Sequence, residues 1–393
     1  MPWKMSGDVR LLLSLYLPFF AIHCAEQIYF IYGNVLQSYG LTSVSIGWIL
    51  GIFFMTVMAI RPLGGWVLEN FGLRRTLVWS SFASFIGCSA LLVTDYEPML
   101  FAGRALSGAG FSVYTMGLFS HQAIVVPEEK RGAIFALLVS GGMLPSATVI
   151  PLGEWLILSS HTKLYLALGP ALSIVCWYFG GKAGASEPSV KRGGKRWGTY
   201  RDLFSSRTFL ILSLTGFIIA LVDAVTVSVS LLTAANGLVA SYFLASASVT
   251  AVIVRVAGAK LMNWLPRAIL LAPCGILLSV ALFVMSLSPS NFSLFWGGIF
   301  YGAGIGAGWP MLHALLSDTL PAHLRPKGTA TVLILYDAGW FITPLIVGYV
   351  SPLLGIARTF QTVTLFTFIA LTAIQAAYWI PFHRAKAGGT AKP

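Results

Sequence analysis

Long apolar runs separated by short polar breaks fill this chain from Leu11 almost to its end. The runs fall near 11–33, 45–66, 76–94, 98–122, 132–155, 163–181, 208–232, 239–259, 268–287, 293–317, 328–350 and 359–381. About 20 apolar residues cross the hydrocarbon core of a bilayer as a helix. The runs are continuous and show no period of two, which excludes strands of a closed barrel, so helices are the spanning structure predicted. The expected fold is all-α integral membrane: 12 transmembrane helices in two pseudo-symmetric six-helix bundles. Met1–Arg10 leads straight into the first run without a cleavage pattern, so that run reads as an uncleaved span.

The pattern repeats itself. Leu100-Phe101-Ala102-Gly103-Arg104-Ala105-Leu106-Ser107-Gly108-Ala109-Gly110 aligns with Leu294-Phe295-Trp296-Gly297-Gly298-Ile299-Phe300-Tyr301-Gly302-Ala303-Gly304, an offset of 194. The same offset carries Arg61-x-x-Gly64 onto Arg255-x-x-Gly258, Pro127 onto Pro321 and Arg131 onto Arg325. Two tandem halves are expected: 1–180 and 207–393, joined by a polar linker at 181–206. In an apolar chain such duplication points to a transporter with its substrate site between the halves. The halves differ where Arg104 faces Gly298.

Composition agrees with the pattern. Of 393 residues, 57% are apolar and 10% charged, against about 25% charged in a soluble protein. Mean hydropathy is +0.81. A net charge of +12 suggests a nucleic-acid partner until its distribution is read. Every Lys and Arg except Arg104, Lys163 and Arg358 falls on one side of the expected membrane. By the positive-inside rule that side, with both termini, is cytoplasmic. The linker's Lys-Arg-Gly-Gly-Lys-Arg stretch reads as a charged tether. No nucleic-acid partner is expected. Cys24, Cys88, Cys176 and Cys274 lie in apolar segments without CxxC spacing, which predicts free thiols and no metal site. The chain carries no Walker motif, no HExxH and no GxSxG, so neither an enzyme nor a cofactor is expected.

Local motifs carry a family resemblance. Gly65-Trp66-Val67-Leu68-Glu69-Asn70-Phe71-Gly72-Leu73-Arg74-Arg75 resembles the loop motif G-x-x-x-D-(R/K)-x-G-(R/K)-(R/K) of the major facilitator superfamily. It departs from that motif at Glu69, Asn70 and Leu73. Arg61-Pro62 resembles the variant found in arabinose-efflux and drug:proton-antiporter-like members. Arg104-x-x-x-Gly108-x-Gly110 is similar to the family's membrane-embedded arginine motif, and Pro127-x-x-x-Arg131-Gly132 to its link into the fifth span. The antiporters' G-P-x-x-G-G signature has only a loose echo in Gly141-Gly142-Met143-Leu144-Pro145. The resemblance implies a cytoplasmic gate motif of Gly65, Glu69, Gly72, Arg74, Arg75 and Arg131, in which Glu69 and Arg131 latch one state. The alternative is a surface charge capping the loop.

Charges inside a bilayer cost several kcal/mol and need a reason. At about 1.5 Å per residue, Glu26, Arg104 and Asp223 all lie roughly 22 Å from the inner face. Arg104 is expected to pair with Glu26, Asp223 or both, leaving an excess carboxyl group able to exchange a proton. A permanent structural pair is the alternative. His23, one turn from Glu26, relays protons or binds substrate in one reading and hydrogen-bonds within a helix interface in the other. Asp337 is a second coupling candidate. Gln27, Tyr29, Tyr114 and His313 are weaker candidates for the substrate cavity, His313 also for a gate. Glu154 is expected to be solvated. Pro145, Pro151, Pro310 and Pro344 are expected to kink their spans.

The expected function is secondary active transport of a small organic solute by alternating access, led by proton-coupled efflux across the cytoplasmic (inner) membrane. The expected partners are that solute, protons and the lipid bilayer, and the protein is expected to act as a monomer. The alternatives are proton-coupled uptake of a metabolite or metal chelate, and a non-transporting membrane sensor on the same scaffold.

Overall fold

A computed structural model describes residues 5–125, 138–183, 199–258, 265–321 and 323–387. Among them there is helix but no strand. The chain divides into two compact units, Met1–Ser189 and Val190–Pro393. Among the described residues ten helices are long and apolar enough to cross a membrane. Met5–Gln27 and Glu97–Val125 occupy the places of the first and fourth expected spans. The arrangement is consistent with twelve.

Both units use the same neighbour pattern. In the first unit the fourth span packs on the second and third, and the sixth on the third and first. In the second unit the tenth packs on the eighth and ninth, and the twelfth on the ninth and seventh. The 194-residue offset holds at atomic contacts. A Cβ on Gly108 would meet the carbonyl of Phe53, and one on Gly302 that of Ala247. Gly110 lies against the Ser80 carbonyl, and Gly304 against that of Cys274. Each second-unit contact is the first-unit contact moved by the same offset. Lipid tails are as apolar as leucine, so helix association in a bilayer depends on such close backbone approach.

The first span of each unit changes winding midway. Met5–Gln27 is α-helical, Ile28–Ile31 is 3₁₀ and Tyr32–Ser38 is α-helical again. In the seventh span Arg207–Asp223 passes into 3₁₀ at Ala224–Ser228 before Val229–Ala235. A mid-helix 3₁₀ stretch often marks a hinge. Tyrosine hydroxyls reach these changes: Tyr165 donates to Ile28 O at 2.9 Å, and the single Tyr301 proton is shared between Asp223 Oδ1 and, more weakly, Asp223 O at 3.3 Å.

Several expectations are corrected. The loop expected between the second and third spans is helical: Arg61–Leu63 is a 3₁₀ turn and Gly64–Val93 a helix. The exception is Gly72, at φ 72° and ψ 161°, where only glycine is unstrained. Leu73, which replaces a base in the family motif, is 2% exposed and packs with Leu77, Tyr114 and Leu118 in the core of the first unit. Pro145 does not kink a continuous span but starts a new helix, Pro145–Leu158, after turns at Gly142–Leu144. Glu154 is buried at 4% exposure rather than solvated. The four cysteines are free.

Candidate functional site

In the second unit four spans converge on one carboxylate. Asp223 ends the α-helical part of the seventh span and is buried. Tyr336 of the eleventh span donates its hydroxyl to Asp223 Oδ2 at 2.6 Å, and Tyr301 of the tenth donates to Oδ1. Arg255, in the last turn of the eighth span, is within electrostatic reach of Asp223 and Tyr336. A buried carboxylate is tolerable only when hydrogen bonds or a counter-charge replace its water, and here both are present. The Tyr336 ring meets Trp309 edge-on at 4.4 Å, and Trp309 lies 4.5 Å from the His313 ring. His313 Nδ1 is 3.0 Å from Trp309 O. A carbonyl only accepts, so Nδ1 is the donor in this bond. His313 thus joins the cluster through Trp309. Asp337 follows Tyr336 in the eleventh span and is half-buried.

The first unit holds a cation instead. Arg104 is 1% exposed and lies about two turns into the fourth span. Its guanidinium carbon lies 5.0 Å from the Tyr29 ring centroid and 4.5 Å from that of Phe53. Such cation–π contacts are worth about 2 kcal/mol each when desolvated. Glu26, also buried, is within electrostatic reach of Arg104. Depth alone sets Arg104, Glu26 and Asp223 on one level. The contacts show Arg104 and Asp223 each engaged by side chains of its own unit. The offset also pairs Tyr29 with Asp223, so the equivalent place carries an aromatic face in one unit and a carboxylate in the other.

Other predicted residues have definite places. His23 Nδ1 is 2.8 Å from Phe19 O, the same i−4 bond that His313 makes, and its ring meets Phe19 and Phe111 at 4.3 and 5.2 Å. Gln27 is not a loose cavity contact: Nε2 donates to Gly142 O at 2.6 Å, and Oε1 accepts from Ser146 Oγ at 2.7 Å. It ties the first span to the break in the fifth. Tyr114 belongs to the core rather than a cavity wall, being fully buried with its hydroxyl donating to Cys176 O at 2.8 Å. Glu69, Arg74 and Arg75 are exposed on the third-span helix, with Gly65 earlier in it and Gly72 at its break. Arg131 lies outside the described residues. No metal-holding group of His, Cys, Asp or Glu occurs among the described residues.

Sequence reasoning missed Arg255 and Tyr301 as site residues, and offered Tyr336 only as one of four aromatics, with Tyr114, Trp309 and Trp340, able to line a cavity. Arg255 falls among the loop charges, because positive-inside counting does not see a long side chain reaching back along its helix. Tyrosine hydroxyls have no periodic signature. The available signal was the offset itself, which sets Tyr301 against Ser107 and so marks a second departure from the repeat beside Gly298.

Known proteins share this architecture. A peptide transporter solved with sulfate superposes with a TM-score of 0.75 over 93% of this chain and 94% of its own, at 13% identity. The staphylopine export protein of Staphylococcus aureus is 22% identical over 339 residues, covering 80% of this chain and 83% of that one. The MFS-type transporter pigP of Monascus ruber is 32% identical over 100 residues, a stretch that spans 25% of this chain and only 17% of that relative. The profile described as Major Facilitator Superfamily matches residues 13–289. With that match over most of its length, the chain belongs to the Major Facilitator Superfamily and is a multi-pass membrane protein.

Proposed function

We propose that the protein is a proton-coupled exporter of a small organic solute, working by alternating access in the cytoplasmic membrane with both termini cytoplasmic. The observation that carries this reading is the Asp223 carboxylate, buried under two tyrosine hydroxyls beside the 3₁₀ segment Ala224–Ser228. Coupling requires a carboxyl group whose surroundings change between two states. A hinge next to Asp223 is suited to move it against Tyr301 and Tyr336, which sit on other spans. Glu26, His23 and Asp337 are the secondary candidates. Export is favoured by the staphylopine export protein, similar along most of both chains. Glu69, Arg74, Arg75 and Arg131 form the cytoplasmic latch in this scheme, and the protein acts as a monomer.

The test works on a solute of any identity. Cells expressing the wild type or Asp223→Asn are compared for small molecules released to the medium, with and without a protonophore. One or a few solutes released only by the wild type, and lost with the protonophore, are expected. Release that ignores the protonophore would remove proton coupling, and depletion from the medium would reverse the direction.

A further inference from the structure

Arg104 is a cation with donors to spare. Its Nε and Nη1 carry most of the five N–H groups of the guanidinium, and neither finds an acceptor among the described residues. Beside it, the hydroxyls of Tyr29 and Tyr32 are also buried without a hydrogen-bond partner. The Cys88 thiol beside Tyr29 is a weak hydrogen-bonding group and does not replace one. The two tyrosine rings meet edge-on at 5.4 Å. Buried polar groups in folded proteins are almost always hydrogen-bonded, so such a cluster demands an explanation. Glu26 tempers the charge from within electrostatic reach but does not take up Nε or Nη1.

Architecture does not supply the explanation. The repeat places Gly298 at the equivalent position, closely packed against Phe243 O and Ser246, so the fold of a unit forms without a cation there. The first unit also reserves room for the tyrosine: a Cβ at Gly169 of the sixth span would collide with the Tyr29 hydroxyl and ring.

We infer that this cluster binds the carboxylate of the transported solute, which makes the cargo an organic monocarboxylate. The inference rests on the transporter reading above and adds the chemistry of the cargo. One guanidinium with two hydroxyls matches one negative charge spread over two acceptor oxygens. With Glu26 also within electrostatic reach of Arg104, the cluster has no charge to spare for a doubly charged group, so a phosphate fits worse than a monocarboxylate. The rings of Tyr29 and Phe53 give the cluster an apolar border, which suits a carboxylate on an apolar body.

The probe is sodium benzoate against neutral benzamide, added to the purified full chain in detergent at fixed ionic strength, with Tm as the readout. Benzoate raises Tm saturably in the wild type and benzamide does not. Arg104→Gln weakens the apparent benzoate affinity about tenfold or more, the loss expected for a charge-assisted bond. Tyr32→Phe, which keeps the ring and spares the fold, weakens it by a smaller factor. Equal shifts from both compounds, or a benzoate shift that persists in Arg104→Gln, would overturn the assignment. The second result would mean screening at the basic loops. Should Arg104→Gln fail to fold, an unchanged benzoate response in Tyr32→Phe overturns it equally. Asp223→Asn keeps the benzoate shift while losing proton-dependent release, so the carboxylate site and the coupling scheme fail separately.

Discussion

Gln27 fastens the first span to an interrupted helix, and removing it has a calculable consequence. The turns at Gly142–Leu144 divert the normal helical ladder: Ser146 N bonds to Met143 O at 3.2 Å instead of reaching Gly142 O. The Gln27 amide donates to that carbonyl at 2.6 Å. Gln27→Leu keeps the bulk but orphans a buried carbonyl, at a cost of about 1–3 kcal/mol. The Ser146 hydroxyl, released from Gln27 Oε1, can turn to a carbonyl of its own helix and loses little. Ser146→Ala should therefore cost only about 0.5–1.5 kcal/mol. The two residues share a hydrogen bond, so the double variant should show a coupling near 0.6 kcal/mol and below about 1.7 kcal/mol, the range measured between membrane helices. Thermal melting of the purified protein gives the stability order, and hydrogen exchange of residues 142–147 localises the effect. A Gln27→Leu protein with wild-type melting and unchanged exchange in that segment would show that the break is held by something else.

Further outcomes follow from the same geometry. Tyr301→Phe and Tyr336→Phe each remove a donor from a buried carboxylate, worth about 1.5–3 kcal/mol where the acceptor is charged; both should melt below wild type, and wild-type melting in both would show that Asp223 does not depend on them. Gly108→Ala and Gly302→Ala should destabilise their units by similar amounts, about 1–3 kcal/mol of overpacking, and a large effect at only one would break the structural equivalence. The exposed Arg267–Asp318 pair at 2.7 Å should contribute under about 1 kcal/mol in a double-mutant cycle. Thr199 holds the Asp202 carboxyl below its ordinary 3.8 by donating from its hydroxyl at 2.7 Å and its backbone N–H at 3.0 Å. A depressed carboxyl stabilises the folded form above pH 3.8 and loses that contribution as pH falls through the lower folded value. Protection of Tyr200–Ser205 should therefore fall in acid, and Thr199→Ala should flatten the pH dependence.

The sequence made the frame legible because membrane helices announce themselves by length and because the glycines of the fourth and tenth spans recur at a fixed offset. Gly108 against Phe53 and Gly302 against Ala247 are the physical content of that repeat. Its departures also pointed inward, to Arg104 and Gly298. Partners were harder to read. Counting residues from the membrane faces gives Arg104 and Asp223 the same expected depth, but depth does not say which neighbours they meet: rings face Arg104, and tyrosine hydroxyls bond Asp223. The stretch around Leu73 misled for a different reason. Its charges look like a loop, while Leu73 and Leu77 are buried helical positions and only Gly72 leaves the helix.

The central claim is that Asp223 carries the coupling, and transport with and without a gradient tests it directly. Proteoliposomes are loaded with a solute found in the release comparison, and two fluxes are measured for wild type and Asp223→Asn: solute-for-solute exchange without a gradient, and net transport driven by an imposed pH gradient. Retained exchange with loss of gradient-driven transport in Asp223→Asn is the predicted result. Gradient-driven transport at wild-type rate in Asp223→Asn would contradict it.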